Sequence, residues 1–188
     1  MKESILNIID SHRTLVDDFE KNHVDTLLQC ADAIASCIQK GGCIYICGNG
    51  GSAADAQHIA GELVGRFQSN RKAFAAVALT TDTSVMTAVA NDFAYEEVFA
   101  RQVEALLGQR DLLWAFSTSG ASANVLKAVD CARQKGAVIV SFTGRATSPL
   151  ESQSDICLCA PSESTARSQE IHQLAYHIIC GLVEQRCA

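Results

Sequence analysis

The sequence predicts an α/β fold: a parallel sheet flanked by helices on both faces, preceded by an N-terminal helical hairpin. Three observations carry that expectation. Short apolar runs of strand length alternate with stretches of helical periodicity along the chain. The runs read as strands buried within a covered parallel sheet. Two of them lead straight into Gly- or Ser-rich turns that open helices. With 188 residues, 48% of them hydrophobic and 19% charged, the chain is sized for one domain with a substantial core. No repeat, linker or low-complexity segment interrupts residues 1–188, so they read as a single domain: a helical hairpin over 1–40 and an α/β core over 41–188.

The elements follow in order. Ile5, Ile8, Ile9, His12, Leu15, Val16 and Phe19 repeat at helical spacing, and after "KNHVD" so do Leu27, Leu28, Ala31, Ile34, Ala35 and Ile38. The apolar stripe of the first helix has no strand beside it, which favours contact with another subunit over a simple cap on the core. Gly41 and Gly42 stop the second helix. "CIYIC" (43–47) is a strand that enters a Gly loop and a helix over about Ser52–Phe67. "FAAVAL" (74–79) is a strand, followed by a short helix around Ser84–Ala90 and another over Glu96–Leu107. "DLLWAF" (111–116) runs into "STSGASAN" and a helix to about Lys135. "AVIVSF" (137–142) is a strand, "TGRATSPL" a loop, "ICLCA" (156–160) the last strand, and Ser164–Glu184 the final helix.

Composition excludes several function classes. The formal net charge is -6 with no dense Lys/Arg run, which speaks against nucleic acid as a partner. The N-terminus lacks the long apolar segment of a secretory signal, and no stretch approaches the ~20 apolar residues of a membrane span. The nine cysteines are odd in number, scattered and without a C-x-x-C pair. They read as small buried hydrophobes in a reducing cytoplasm.

Two strand-to-helix loops carry the binding signal. The first, Gly48-Asn49-Gly50-Gly51-Ser52, matches the loose dinucleotide pattern G-x-G-x-x-G/A. No acidic residue stands at the end of the next strand about 20 residues on, as a dinucleotide site would require. The second, Ser117 to Ser122, holds four hydroxyls in six residues: Ser117, Thr118, Ser119 and Ser122. At a strand's carboxyl end, with a helix N-terminus behind it, such a loop surrounds a phosphate with neutral donors. The plain alternative is an N-cap serine.

A chemical set lies on two helices. His58 and Glu62 are four residues apart and share one helix face. In "QEIHQLAYH", Gln169, Gln173 and His177 advance by four residues each, with His172 on the other side of Gln169. If the two helices meet, imidazole, carboxylate and amide groups converge, a donor set suited to Zn²⁺ or to acid–base work without metal. Each piece has a plain alternative: surface or core histidines, a capping Gln, a Glu62–Arg66 pair.

Taken together, "CGNGGSAADAQH", "GELVGRF", "TTDTSVMTAVANDF", "FARQVEAL", "STSGASANVLKAV" and "QEIH…H" resemble the phosphoheptose isomerases, which carry the sugar isomerase (SIS) fold, a flavodoxin-like three-layer sandwich. The resemblance spans nearly the whole chain. It implies isomerisation of sedoheptulose 7-phosphate to D-glycero-D-manno-heptose 7-phosphate, the opening step of bacterial heptose biosynthesis for lipopolysaccharide. It also implies a cytoplasmic homotetramer, with one Zn²⁺ per site in many members. By motif, His58, Glu62, Gln169 and His177 would be metal ligands, and Glu62 and His177 the proton-transfer pair. Asn49, Gly50, Gly51, Asn91 and Asp92 would contact the sugar phosphate. Ser117, Thr118, Ser119 and Ser122 would hold its phosphate, and Glu62 and Gln169 would also touch substrate. The chain departs from the family at Ala121, Ala166, Arg167 and Ser168 and in "TGRATSP", which lacks the usual Gly-rich loop. Two other readings remain: a non-catalytic SIS-fold relative that binds the replication initiator DnaA, and an isomerase or sensor for another sugar phosphate.

Overall fold

The computed structural model describes residues 1–187. Its strands are β1 (Ile44–Cys47), β2 (Ala76–Ala78), β3 (Leu112–Ser117), β4 (Val138–Thr143) and β5 (Ile156–Cys159). They form one sheet in the order β2-β1-β3-β4-β5, and every pairing is parallel. The helices are α1 (Lys2–Asn22), α2 (Val24–Gln39), α3 (Gly51–Val64), α4 (Thr83–Asp92), α5 (Ala100–Leu106), α6 (Ala123–Gln134), α7 (Pro149–Ser152) and α8 (Thr165–Cys187).

Successive strand residues alternate between the faces of the sheet, and two cores result. Ile44, Ile46, Leu112, Trp114, Phe116, Val140 and Phe142 point into a core shared with α2, α3 and α8. Cys47, Leu113, Ala115 and Ile139 point into a second core under α5, α6 and α7. The central strand β3 is buried at all six positions, as a doubly covered parallel strand must be. His172 lies in the first core against Phe116 and Phe142. Burial drives its pKa down to about 4, against the opposing pull of the Thr143 carbonyl. It is a neutral core histidine.

Several boundaries differ from the sequence expectation, each for a local reason. Only His23 separates α1 from α2. The expected helix to Phe67 stops at Val64, because the Phe67 N–H leaves the helix to bond the Glu184 carboxylate at 2.9 Å. The helix expected over 96–107 divides into a 3-10 turn, Tyr95–Glu97, and α5. The loop expected over 143–150 contains the start of α7. There Ser148 caps with its side chain and Pro149 takes the first helical position, a start signal legible in "SPLE". All nine cysteines are free thiols. Cys30, Cys37, Cys47 and Cys180 are fully buried and the rest partly so. Burial pushes the Cys47 thiol up to about 12, which makes it inert.

The strand order places the ligand site. The chain steps outward from β1 to β2 and then back across β1 to β3, so the crevice between β1 and β3 opens at their carboxyl ends. The two loops singled out in the sequence both leave from there.

Candidate active site

Gly50 adopts φ +57°, a left-handed conformation that favours glycine, and it is the N-cap of α3. A Cβ on Gly51 would lie 2.5 Å from the Gln169 amide nitrogen, so that amide would have to move aside. Gln169 thus lies directly over the first loop. In the second loop Gly120 has φ +64°, and a Cβ would meet Ser148 at 2.3 Å. The turn that displays the hydroxyls therefore requires glycine both for its dihedral and for its space.

Ser122 is the N-cap of α6, yet its side chain makes no capping bond. Its Oγ lies 2.8 Å from Ser117 Oγ, which in turn lies 3.2 Å from Ser119 Oγ. The N-cap alternative therefore does not account for this hydroxyl, which stays in a cluster facing the crevice. The crevice is a cavity of about 280 Å³ lined by Asn49, Gly50, Gly51, Ser52, Phe116, Ser117, Thr118, Ser122, Thr165 and Gln169. Both α3 and α6 begin at this lining, and the start of a helix carries partial positive charge. A larger cavity of about 690 Å³ between α1 and the start of α8 offers no such convergence, its only charged side chains being Glu3 and Arg167.

The two walls are tied together. Asn49 and Asn124 exchange side-chain amide hydrogen bonds, both 2.8 Å long, and the Tyr95 hydroxyl donates to Asn49 Oδ1 at 3.1 Å. Asn124 and Tyr95 were not among the sequence candidates. Asn124 was visible only as the last residue of "STSGASAN", and its partner lies 75 positions away.

The helices α3 and α8 run side by side in the same sense. Gly51 meets Gln169 at one end and His58 meets His177 further along. His58 Nε2 lies 3.0 Å from Glu62 Oε1 and 3.4 Å from His177 Nε2. Ligand atoms of His58, Glu62 and His177 all fall within 4.8 Å of one another, so this group could hold a metal ion. Glu62 faces His58 rather than Arg66. Gln169 forms no hydrogen bond with these three. It precedes His177 by eight residues, about 12 Å along the helix axis. Burial first, and the neighbouring His58 next, lower the His177 pKa, with Glu62 pulling the other way.

Two further groups support the trio and were missed in the sequence. The Tyr176 hydroxyl lies 3.0 Å from His58 Nδ1. With Nε2 directed at Glu62, the tautomer that satisfies both contacts carries its proton on Nε2 and accepts from Tyr176 at Nδ1. Asp55 stands close by. Burial pushes its carboxyl up to about 6, with His58 and Tyr176 acting in the opposite direction, and its Oδ2 is buried without a partner. Asp55 is one turn before His58 in "ADAQH", but nothing in the spacing distinguishes it from a surface acid. Asn91 and Asp92 end α4, exposed and bonded to each other at 2.8 Å, outside the lining of the crevice.

Residues 8–144 match the SIS domain family. A phosphoheptose isomerase from Thiobacillus denitrificans is 48% identical over 187 residues, covering 92% of this chain and 94% of its own. One from Roseiflexus sp. is 46% identical over 172 residues, covering 89% and 87%. Among solved structures, the phosphoheptose isomerase GmhA from Neisseria gonorrhoeae superposes with a TM-score of 0.93 at 38% identity, covering 98% of each chain.

Proposed function

The chain belongs to the phosphoheptose isomerases of the SIS domain family and is an isomerase, and we propose that it interconverts sedoheptulose 7-phosphate and D-glycero-D-manno-heptose 7-phosphate. The single observation that carries the reading is the pairing of a hydroxyl cluster, at the end of the crevice where α3 and α8 begin, with a carboxylate–imidazole group further along those two helices. Seven residues separate Gly51 from His58 and eight separate Gln169 from His177, roughly 10 to 12 Å along each axis. That span suits an extended sugar with its phosphate at one end and its reacting carbons at the other.

In this reading Ser117, Thr118, Ser119 and Ser122 hold the phosphate, helped by the two helix N-termini. Asn49, Gly50, Gly51 and Gln169 line the path of the sugar. Asn91 and Asp92 join them on the strength of the family motif. Glu62 takes the proton from the carbon next to the carbonyl. The electrons of that C–H bond form the C=C bond of an enediol(ate), and the carbonyl oxygen gains a proton. His177, held below its ordinary pKa and therefore neutral near pH 7, exchanges protons with the two oxygens. Return of a proton to the neighbouring carbon completes the exchange. The hydrogen moves within one substrate, so no redox partner is needed.

The donor set fits Zn²⁺ once His58 gives up its Nε2 proton: two ring nitrogens and a carboxylate oxygen lie close together, and Tyr176 behind His58 would then accept from Nδ1 and orient the ring. His58, Glu62 and His177 would hold the ion, and Gln169 joins them on the strength of the family motif alone. When bound, the ion stabilises negative charge on the substrate oxygens. With the ion bound, Glu62 would alternate between ligand and base.

The full 188 residues act as one SIS unit, a cytoplasmic enzyme that opens heptose biosynthesis for lipopolysaccharide. The exposed stripe of Ile5, Leu6, Ile8 and Ile9 on α1 supports assembly, as a homotetramer. No helix among the described residues is long and apolar enough to cross a membrane. A pure adaptor has no need of Glu62 and His177 in mutual reach.

The test is an aldose–ketose assay with sedoheptulose 7-phosphate, with and without chelator. Absence of turnover by the unaltered protein across divalent metals sinks the proposal. Turnover that survives both Glu62→Gln and His177→Gln sinks the assigned roles.

A further inference from the structure

His177 and Glu184 are seven residues apart on α8, so they share a face two turns apart. The chain leaving α3 lies across that face. The N–H of Phe67 donates to Glu184 Oε1, and those of Gln68 and Ser69 donate to Oε2, each at 2.9 Å. Arg71 Nε donates to the same carboxylate at 3.1 Å, and both side chains are 3% exposed. The far side of the guanidinium donates to the carbonyls of Glu62 and Leu63, each at 2.8 Å. Arg71 therefore caps the carboxyl end of α3 at the residue that carries the reacting carboxylate. The Phe67 ring lies over His177, with centroids 5.6 Å apart and planes inclined by 22°. Gly181, one turn on, lies beside the same ring, where a Cβ would make ordinary contact with it at 3.5 Å.

We propose that Phe67, fixed by the Glu184–Arg71 clamp, is a positioning residue that sets the ring of His177 against Glu62. One backbone segment thus ties the end of α3 to α8 and holds a flat ring against the imidazole. The clamp satisfies the loop backbone without any need for an aromatic side chain at 67. The ring is half-buried: one side packs against the edge of the core, and a face rests on His177. The inference rests on the isomerase reading for the role of His177, although the contact itself does not.

The experiment compares Phe67→Leu, which removes the flat ring, with Phe67→Tyr, which keeps it. Phe67→Met fills a similar volume without a ring and replaces Phe67→Leu should that variant not fold. Two quantities are read: steady-state kinetics on sedoheptulose 7-phosphate, and Zn²⁺ affinity of metal-free protein by calorimetry. Loss of the ring is expected to lower kcat and Zn²⁺ affinity by about ten-fold each, with KM within about two-fold. Phe67→Tyr is expected to restore both. Values within two-fold of the unaltered protein, a loss carried by KM alone, or no recovery in Phe67→Tyr would overturn the proposal. If the unaltered protein turns over no substrate while Zn²⁺ affinity follows the ring, the isomerase reading fails and the positioning role stands.

Discussion

The hydroxyl loop and the histidine–carboxylate group are built in opposite ways. The loop is local: a buried strand end, a glycine at φ +64°, and hydroxyls at 117, 119 and 122 that bond one another. The trio is remote: His177 meets His58 across 119 positions of sequence, where α8 returns to lie along α3. One site can be written into a single short segment. The other exists only once the whole sheet has been wound. Binding and chemistry should therefore separate under mutation, with loop changes read in KM and helix-pair changes in kcat.

The largest expected effect is on chemistry. Glu62→Gln should lower kcat by roughly 10² to 10⁴-fold, the usual worth of a placed base, while inhibition by inorganic phosphate stays unchanged. Parallel loss of phosphate inhibition would break the separation. Next comes the clamp. Glu184→Ala leaves Arg71 buried and unpaired, and should cost about 3 to 5 kcal/mol of stability in a denaturant titration.

The same residue has a pH signature. Burial opposes the Glu184 carboxylate, but the three N–H donors and Arg71 prevail and hold its pKa below the ordinary 4.5. A carboxylate depressed in the folded state contributes fully above its unfolded pKa, and that contribution fades as pH falls through the folded value. The thermal midpoint should fall more steeply on acidification below about pH 4.5 in the unaltered protein than in Glu184→Gln. Equal slopes would show that the carboxylate is not held this way. Gly120→Ala forces a side chain into a left-handed turn against Ser148, and should cost roughly 1 to 3 kcal/mol together with phosphate affinity. Smallest is Ser122→Ala, which removes one donor to an anion. It should raise KM about ten-fold, near the 1.5 kcal/mol lower bound for a hydrogen bond to a charged group, with kcat held. A fall in kcat alone would show the two sites to be coupled.

Much of the fold was legible because its signals are local. Apolar runs and Gly or Ser turns placed every strand and both loops, and the hydroxyls of "STSGAS" marked the second loop as a candidate. Helix ends were less legible where tertiary partners set them. The end of α3 at Val64 has one local signal, the glycine at 65, but the carboxylate that holds the chain beyond it, Glu184, comes over a hundred residues later. The candidate set on α3 and α8 could be drawn from spacing, but its meeting could not. Asp55, Tyr176, Asn124 and Phe67 escaped notice for the same reason. Each acts through a neighbour that the sequence does not place beside it, and each is ordinary in type: a surface-like acid, a core tyrosine, a helix-start amide, an apolar residue after Arg66.

The paired amides of Asn49 and Asn124 have a consequence for how a ligand enters. Two walls cross-linked at 2.8 Å in both directions must break both bonds before they part like a jaw. If the hydroxyl loop holds the phosphate as proposed, that end of the site is preformed, and an arriving sugar phosphate loses its own freedom there without first ordering the protein. Rigid phosphate mimics should then compete well with the flexible substrate, and their association should be set by encounter rather than by any waiting step of loop closure.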